Sequence, residues 1–348
     1  MAVNLATTDR LLLDHLQREV PLVERPYEQI GRSIGMDERD VLARVTALSG
    51  PPPAPIRQVS AIFDSKRLGY QSCLVAAKVE EGRFAQAVAV INRHPGVSHN
   101  YRREHAFNLW FTLAVPPGSK LGLDGTLAVL KRLSGALEMR PLPTLKLYKI
   151  GVRFDLSDGE GEAHAPSVAQ TAVAAPASGC AITEADQRMI RVLQQHLPLR
   201  ERPFEYWAAE ARVPVGELLA AATKYQQSGV MRRFSAVLRH RAVGISANAM
   251  GVWIVPPAVQ DDFGRAAAAH SAVSHCYLRP SYPPDWPYNI FTMVHGRTRG
   301  ECEATLRAIS AATGISDYAA LYSTEEYKKA RVRYFVGDIE QWEDENRA

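Results

Sequence analysis

Apolar positions near the N-terminus recur with helical spacing: Leu11, Leu12, Leu16 and Val20 share one face, and Thr8 or Asp9 is placed to cap it. A short second helix is expected over 27–34. A third starts at Asp37 and turns Val41, Leu42, Val45 and Leu48 inward. Beyond residue 56 the texture becomes that of strands, at 57–63 and 72–79. A helix follows over 83–92, ended by Pro95-Gly96, and then a hairpin of 97–102 with 108–115. A helix over 123–133 and a last strand over 146–154 complete the pattern. Three short helices and a strand resemble a winged helix-turn-helix, and the β-α-β-β-α-β order predicts a ferredoxin-like α+β sandwich with an antiparallel sheet.

The whole pattern is written twice. Pro21-Leu22-Val23-Glu24-Arg25-Pro26-Tyr27 returns as Pro198-Leu199-Arg200-Glu201-Arg202-Pro203-Phe204, and Ile56-Arg57-Gln58-Val59-Ser60-Ala61 returns as Met231-Arg232-Arg233-Phe234-Ser235-Ala236. His94 and His99 reappear as His270 and His275 at nearly the same displacement. A steady displacement over the full length means a duplicated unit. Helices are expected around Met189, Ile190 and Leu193, then over 204–211 and 215–226, with hairpin strands at 273–278 and 289–294. Between the halves, Ser157-Asp158-Gly159-Glu160-Gly161-Glu162 and the small residues after it read as a flexible linker. The expected order is helix-turn-helix-like 1–55, ferredoxin-like 56–156, linker 157–181, helix-turn-helix-like 182–230 and ferredoxin-like 231–348.

Composition narrows the class. The 348 residues are 46% hydrophobic and 22% charged, ordinary for a globular chain of two domains. No apolar run is long enough for a transmembrane helix, and the N-terminus lacks a signal-peptide pattern, so a cytoplasmic location is expected. The four cysteines fit neither a zinc site nor a disulfide framework; Cys73 reads as core, and Cys180, like His164, falls in the linker. A net charge of +4 permits an anionic ligand without indicating nucleic acid.

Candidate chemistry concentrates in one repeated strand, Val97-Ser98-His99-Asn100-Tyr101-Arg102-Arg103 and Val273-Ser274-His275-Cys276-Tyr277-Leu278-Arg279. Alternation puts His99 with Tyr101, and His275 with Tyr277, on one face. A His beside Arg and aromatic residues suits a flat, anionic ligand that must receive a proton; a hydrogen-bonded core His is the competing account. His94 and His270 stand at helix C-termini, where a cation is favoured and capping accounts for them. Arg57, Arg232 and Arg233 begin strands and suit bidentate contact with carboxylates, with a solvated strand end as the competing account. Trp286 and Tyr288, with Tyr282, in a proline-stiffened loop suit the lining of a flat apolar ligand; a packed hairpin loop is the competing account. Nucleotide-binding, metalloprotease and serine-hydrolase motifs are absent.

Helix-turn-helix followed by a ferredoxin-like domain resembles the Lrp/AsnC regulators, so DNA binding is the obvious reading. The charges oppose it. The first turn of the recognition helix carries Asp37, Glu38 and Asp40, and its counterpart is Pro214-Val215-Gly216-Glu217-Leu218. Phosphates and base edges call for Lys, Arg, Asn and Gln there.

The closer resemblance is to the siroheme decarboxylases, Lrp-like proteins of the haem d1 and alternative haem pathways. In the first half it rests on Phe63-Asp64-Ser65-Lys66-Arg67-Leu68-Gly69-Tyr70, the His99 strand and Leu142-Pro143-Thr144. In the second it rests on 232–241, on Trp286-Pro287-Tyr288-Asn289 and on Met293-Val294-His295-Gly296. The chain thus resembles the two subunit types fused into one. The resemblance implies removal of the ring C and D acetate carboxyls of siroheme to give 12,18-didecarboxysiroheme, with no added cofactor, the iron entering with the substrate. His275 and His240 would donate the proton and position a carboxylate, with His99, Arg102 and His105 as the first-half counterpart. Alternatively, one of His99, His240 and His275 ligates the substrate iron. Arg57, Arg232 and Arg233 would clamp acetates or propionates, and Arg103, Arg279, Trp286, Tyr288, Asn289 and His295 would complete the substrate site. The implied partners are siroheme and its mono- and didecarboxylated products, not nucleic acid or membrane. The halves would pair within the chain, leaving a homodimer open. A haem-responsive regulator and a DNA-binding repressor are the competing classes.

Overall fold

The computed structural model describes residues 5–51, 53–150, 182–239 and 247–347. The linker expected over 157–181 and His240 lie outside them. The chain divides into two compact units, each drawing on both sequence halves.

One unit holds the helical blocks: α1 (Thr7–Arg18), α2 (Pro26–Ile34) and α3 (Glu38–Leu48) with strand β1 (Ile56–Phe63), then α6 (Glu184–Leu193), α7 (Pro203–Ala211) and α8 (Val215–Gln227) with β7 (Met231–Leu238). Pro26 and Pro203 sit in the first turns of α2 and α7, where a missing N–H costs nothing. Asp37 caps α3 by accepting from Arg39 N. Here the sequence expectation needs correction. Strands β1 and β7 do not open the ferredoxin-like domains; they pair with each other, Val59 opposite Ala236 and Ser60 opposite Ser235, in an antiparallel two-stranded ribbon. Each helical block is bonded to the other half's ribbon strand, through Val20 N to Phe234 O and Leu197 N to Val59 O, both 2.8 Å. Alternation alone says that a strand exists, not which partner satisfies its backbone groups.

The other unit is the sheet domain. Its first half runs β2 (Gln71–Lys78), α4 (Phe84–Arg93), β3 (Val97–Arg103), β4 (Leu109–Val115), α5 (Gly122–Ser134) and β5 (Glu138–Leu142), which is β-α-β-β-α-β. The second repeats it with β8 (Ala247–Trp253), α9 (Gln260–Ala269), β9 (Val273–Leu278), β10 (Ile290–Gly296), α10 (Arg299–Thr313) and β11 (Tyr318–Lys329). The closing strand of the first half is β5, paired with β2, rather than the expected 146–154. Strand β6 (Lys146–Ile150) instead pairs with β9 of the second half. Strand β11 does both jobs in one run: Tyr318–Tyr322 pairs with β8, and Ser323–Lys329 pairs with β3. Each half therefore lends an arm to the other's His-bearing strand. Among the described residues nine strands join in the order β5-β2-β4-β3-β11-β8-β10-β9-β6.

Side chains alternate between two cores. Leu109, Phe111 and Leu113 face α4 and α5, while Val273, Cys276 and Val294 face α9 and α10. The opposite, helix-free faces meet in a third cluster that mixes the halves: Phe107, Trp110 and Leu142 with Trp286, Phe291 and Leu321. A last helix, α11 (Asp338–Asn346), lays Trp342 into the first half's helix-side core, and its buried Glu343 accepts from Lys120 N at 2.9 Å.

Candidate functional site

Two strands carry the repeated residues, and the pleat sorts them. On β3, Asn100 faces α4, where its amide donates to Asn92 Oδ1. Arg102 lies on that same helix side, its guanidinium 4.4 Å from the Phe84 ring and paired with Glu81 at 2.8 Å. His99, Tyr101 and Arg103 therefore turn to the helix-free face. Arg102 is thus separated from the His99 it was expected to assist, because an odd step along a strand reverses the face.

The two faces match closely. His99 stacks on Tyr101 with centroids 6.1 Å apart at 25°, and His275 stacks on Tyr277 at 6.0 Å and 26°. One pleat further on, Arg103 and Arg279 are buried, and burial pushes both guanidiniums down to about 10. Arg103 Nη1 donates to Leu321 O at 2.8 Å, and Arg279 Nη1 donates to Leu142 O, so each reaches a carbonyl of the other half. Arg279 also lies 4.7 Å from the Tyr277 ring centroid. The Nε of each is buried without a hydrogen-bond partner among the described residues. A buried, incompletely paired cation is unfavourable unless an anion arrives.

Behind each His stands a serine that sequence reasoning quoted but gave no role. Ser98 Oγ lies 2.9 Å from His99 Nδ1 and also contacts Thr112 Oγ1. Ser274 Oγ lies 2.7 Å from His275 Nδ1 and 2.6 Å from His295 Nε2, whose Nδ1 meets Asn248 Oδ1 at 2.5 Å. His295 thereby joins the His275 cluster through Ser274. The Val-Ser-His repeat was the available signal for both serines; nothing in the sequence marked Asn248.

Other expected residues have structural employment. Trp286 is fully buried among Phe107, Trp110, Tyr288 and Phe291, and so is a core side chain rather than the lining of an open cleft. Tyr288 stays half-buried beside it. The Asn289 amide is spent on the Val255 backbone, accepting from N at 3.0 Å and donating to O at 2.8 Å. Asn108 does the same for Val79 in the first half, which identifies both as loop clamps. His105 Nδ1 accepts from Phe107 N within its turn, and burial lowers the imidazole's pKa.

Arg57, Arg232 and Arg233 belong to the helical unit. Arg57 is half-buried, Arg233 is exposed, and Arg232 is paired with Asp64 at 2.8 Å. His94 is not the expected capping cation. Burial, reinforced by the Lys328 charge, pushes its pKa down to about 3, and its Nδ1 accepts from Gly96 N. The cations at these helix ends come from the exchanged strands: Lys328 donates to Asn92 O and His94 O, and Lys149 to His270 O. Gly96 itself is required, since a Cβ there would lie 2.0 Å from Ala114 O.

Among the described residues no cluster of three or more His, Cys, Asp or Glu could hold a metal ion, and no helix is long and apolar enough to cross a membrane. Each strand thus carries on one face a buried guanidinium, which can pair with an anion, and a hydroxyl-tethered imidazole, which can exchange a proton.

Two family models each match the chain twice, once in each half. A family model described as an AsnC-like ligand binding domain matches residues 67–149 and 242–328, and one described as the siroheme decarboxylase NirDL-like HTH domain matches 9–50 and 186–232. The chain is 36% identical to a siroheme decarboxylase of Hydrogenobacter thermophilus, over 95% of this chain and 96% of that protein. It is 43% identical over 148 residues to a siroheme decarboxylase beta subunit of Methanosarcina barkeri, covering 42% of this chain but 97% of the subunit. A crystal structure of the siroheme decarboxylase NirDL with an iron-uroporphyrin III analogue superimposes with a TM-score of 0.75 at 32% identity, covering 97% of this chain and 98% of that one.

Proposed function

The chain belongs to the siroheme decarboxylase family of carboxy-lyases, and from that membership we propose that it converts siroheme to 12,18-didecarboxysiroheme. Each step breaks the bond between an acetate methylene and its carboxylate, releasing CO2. The electron pair passes to the carbon and the macrocycle, and a proton takes the place of the carboxylate. No added cofactor enters this balance, and the iron arrives with the substrate.

The observation that carries the proposal is the repeated His-Tyr-Arg face, with a half-buried imidazole and an incompletely paired, buried guanidinium on either side of a tyrosine along the strand. An imidazole that titrates near neutrality suits proton delivery to carbon. Arg103 and Arg279 supply the charge that would hold carboxylates, and Tyr101 and Tyr277 supply flat surface beside them. His275 is the proposed proton donor, and His99 is its first-half counterpart. Ligation of the siroheme iron is the alternative role for either. Arg57 and Arg233 remain proposed carboxylate contacts; Arg232 would first have to leave Asp64. The halves pair within the chain, as the exchanged strands support: one half has the length of a whole beta subunit. The acidic first turn of α3 favours an enzyme over a DNA-binding regulator.

Anaerobic incubation with siroheme, followed by mass spectrometry of the tetrapyrrole, tests the proposal. Loss of one and then two CO2 supports it. Binding seen as an absorbance change, with the tetrapyrrole mass unchanged, would leave a haem-responsive protein instead.

A further inference from the structure

The two His-bearing strands match in their imidazole, phenol and guanidinium but differ behind the imidazole. In the first half, Ser98 connects His99 to another hydroxyl, that of Thr112. In the second, Ser274 connects His275 to a second imidazole, His295, which Asn248 holds from its far side.

Donor and acceptor roles along this row follow from its end. An amide oxygen only accepts, so the contact to Asn248 Oδ1 places a proton on His295 Nδ1. In its neutral form His295 then offers a lone pair at Nε2. The Ser274 hydroxyl can donate to it at 2.6 Å, a shorter contact than the one to Met293 O at 3.3 Å. The serine oxygen in turn accepts from His275 Nδ1 at 2.7 Å, which leaves His275 Nε2 at the outer end of the row. Adding a proton to His295 reverses both links to Ser274. Nε2 of His295 then donates to Ser274, the Ser274 hydroxyl donates to His275 Nδ1, and His275 carries its proton on Nε2. Ser274 is buried, whereas both imidazoles are half-buried and Asn248 is exposed. The row therefore runs from the surface to the His275 ring.

We infer that Ser274 is the positioning residue of the second-half site, fixing the His275 ring through Nδ1 and coupling it to His295, so that protons consumed at His275 are replaced along His295–Ser274–His275. This rests on the decarboxylase reading given above. The step balances: His275 Nε2 gives its proton to the carbon losing CO2, Ser274 gives its proton to His275 Nδ1, and His295 Nε2 gives one to Ser274. The net donor is the His295 imidazolium, which is recharged from solvent. Siroheme needs this twice, once for each acetate. In the first half Ser98 meets the Thr112 hydroxyl where Ser274 meets His295, and so the second half is the one whose serine leads to a second imidazole.

The test uses the full chain, with siroheme turnover followed by mass spectrometry and binding of an iron-uroporphyrin followed by absorbance. Ser274→Ala is expected to lower kcat about 10- to 100-fold, short of the ~10²–10⁴-fold of a lost general acid, while binding changes less than about twofold. Ser274→Thr retains a hydroxyl and is expected to recover most of kcat. Asn248→Ala, at an exposed position that leaves folding intact, is expected to lower kcat about 3- to 10-fold through loss of His295 orientation. The inference is overturned by wild-type kcat in Ser274→Ala or Asn248→Ala, by a defect confined to binding, or by Ser274→Thr being as impaired as Ser274→Ala. If the wild-type chain releases CO2 and these variants match its kcat, only the relay falls. If the wild-type chain leaves the siroheme mass unchanged, the decarboxylase reading falls with it.

Discussion

Arg103 on β3 donates to the carbonyl of Leu321 on β11, 2.8 Å away and in the other sequence half, and Arg279 returns the contact to Leu142. A guanidinium lowered to about 10 by burial carries a cost on the order of 3 kcal/mol at neutral pH. The charge-assisted bond to the carbonyl gives back about 1.5–3 kcal/mol. The two nearly cancel, so the charge adds little net stability where it stands. Arg103→Met or Arg279→Met should therefore shift urea-unfolding stability by less than about 1 kcal/mol, yet weaken iron-uroporphyrin binding at least about tenfold. Equilibrium unfolding and absorbance titration of the same preparations check both halves of this prediction.

Replacing the proposed proton donor should separate the two halves of the chain. His275→Ala is expected to lower the rate of CO2 loss about 10²–10⁴-fold. His99→Ala should cost less, because the serine behind His99 leads to the Thr112 hydroxyl, whereas the one behind His275 leads to the His295 imidazole. Single-turnover mass spectrometry, resolving mono- from didecarboxylated product, measures each. Equal losses in both variants would contradict the asymmetry.

His94 should make the fold acid-sensitive. Its folded pKa is about 3 against an ordinary 6.5, so the unfolded chain takes up the proton first. The stabilisation is complete above pH 6.5, erodes below it, and is gone once pH falls through about 3. His94→Asn keeps an acceptor for Gly96 N but does not titrate. Between pH 7 and 4.5 the wild type should lose about 2–3 kcal/mol more than this variant, read from urea midpoints at each pH.

Trp286 and Asn289 should report on stability rather than chemistry. Trp286→Ala empties a fully buried site and should cost about 3–5 kcal/mol. Asn289→Ala strands both backbone groups of Val255 and should cost about 2–4 kcal/mol. At temperatures where these variants remain folded, kcat should stay within about threefold of wild type; a selective loss of kcat would return either residue to the substrate site.

Much of the site was legible because repeats and pleats are local. The Val-Ser-His-x-Tyr spacing placed His99 with Tyr101, and His275 with Tyr277, on single faces, and the stacked rings agree. The same alternation could have excluded Arg102, which stands an odd number of residues from His99 and faces the helices with Glu81. Trp286 and Asn289 looked like ligand contacts because an aromatic ring or an amide in a loop suits either role. Burial and the choice of Val255 as partner arise only in three dimensions.

The sequence by itself determined the duplication, the helices, the hairpins and the imidazole-bearing strands. These follow from side-chain periodicity within a few residues and from comparison of one half with the other. The tertiary structure decided which strands pair. It took β1 and β7 away from the sheet and joined them, and it sent β6 and the end of β11 across to the opposite half. Backbone hydrogen bonds are satisfied equally well by any strand of suitable register, so alternation does not name the partner. Only that exchange brings Leu321 to Arg103 and Leu142 to Arg279, and only packing sets Asn248 behind His295.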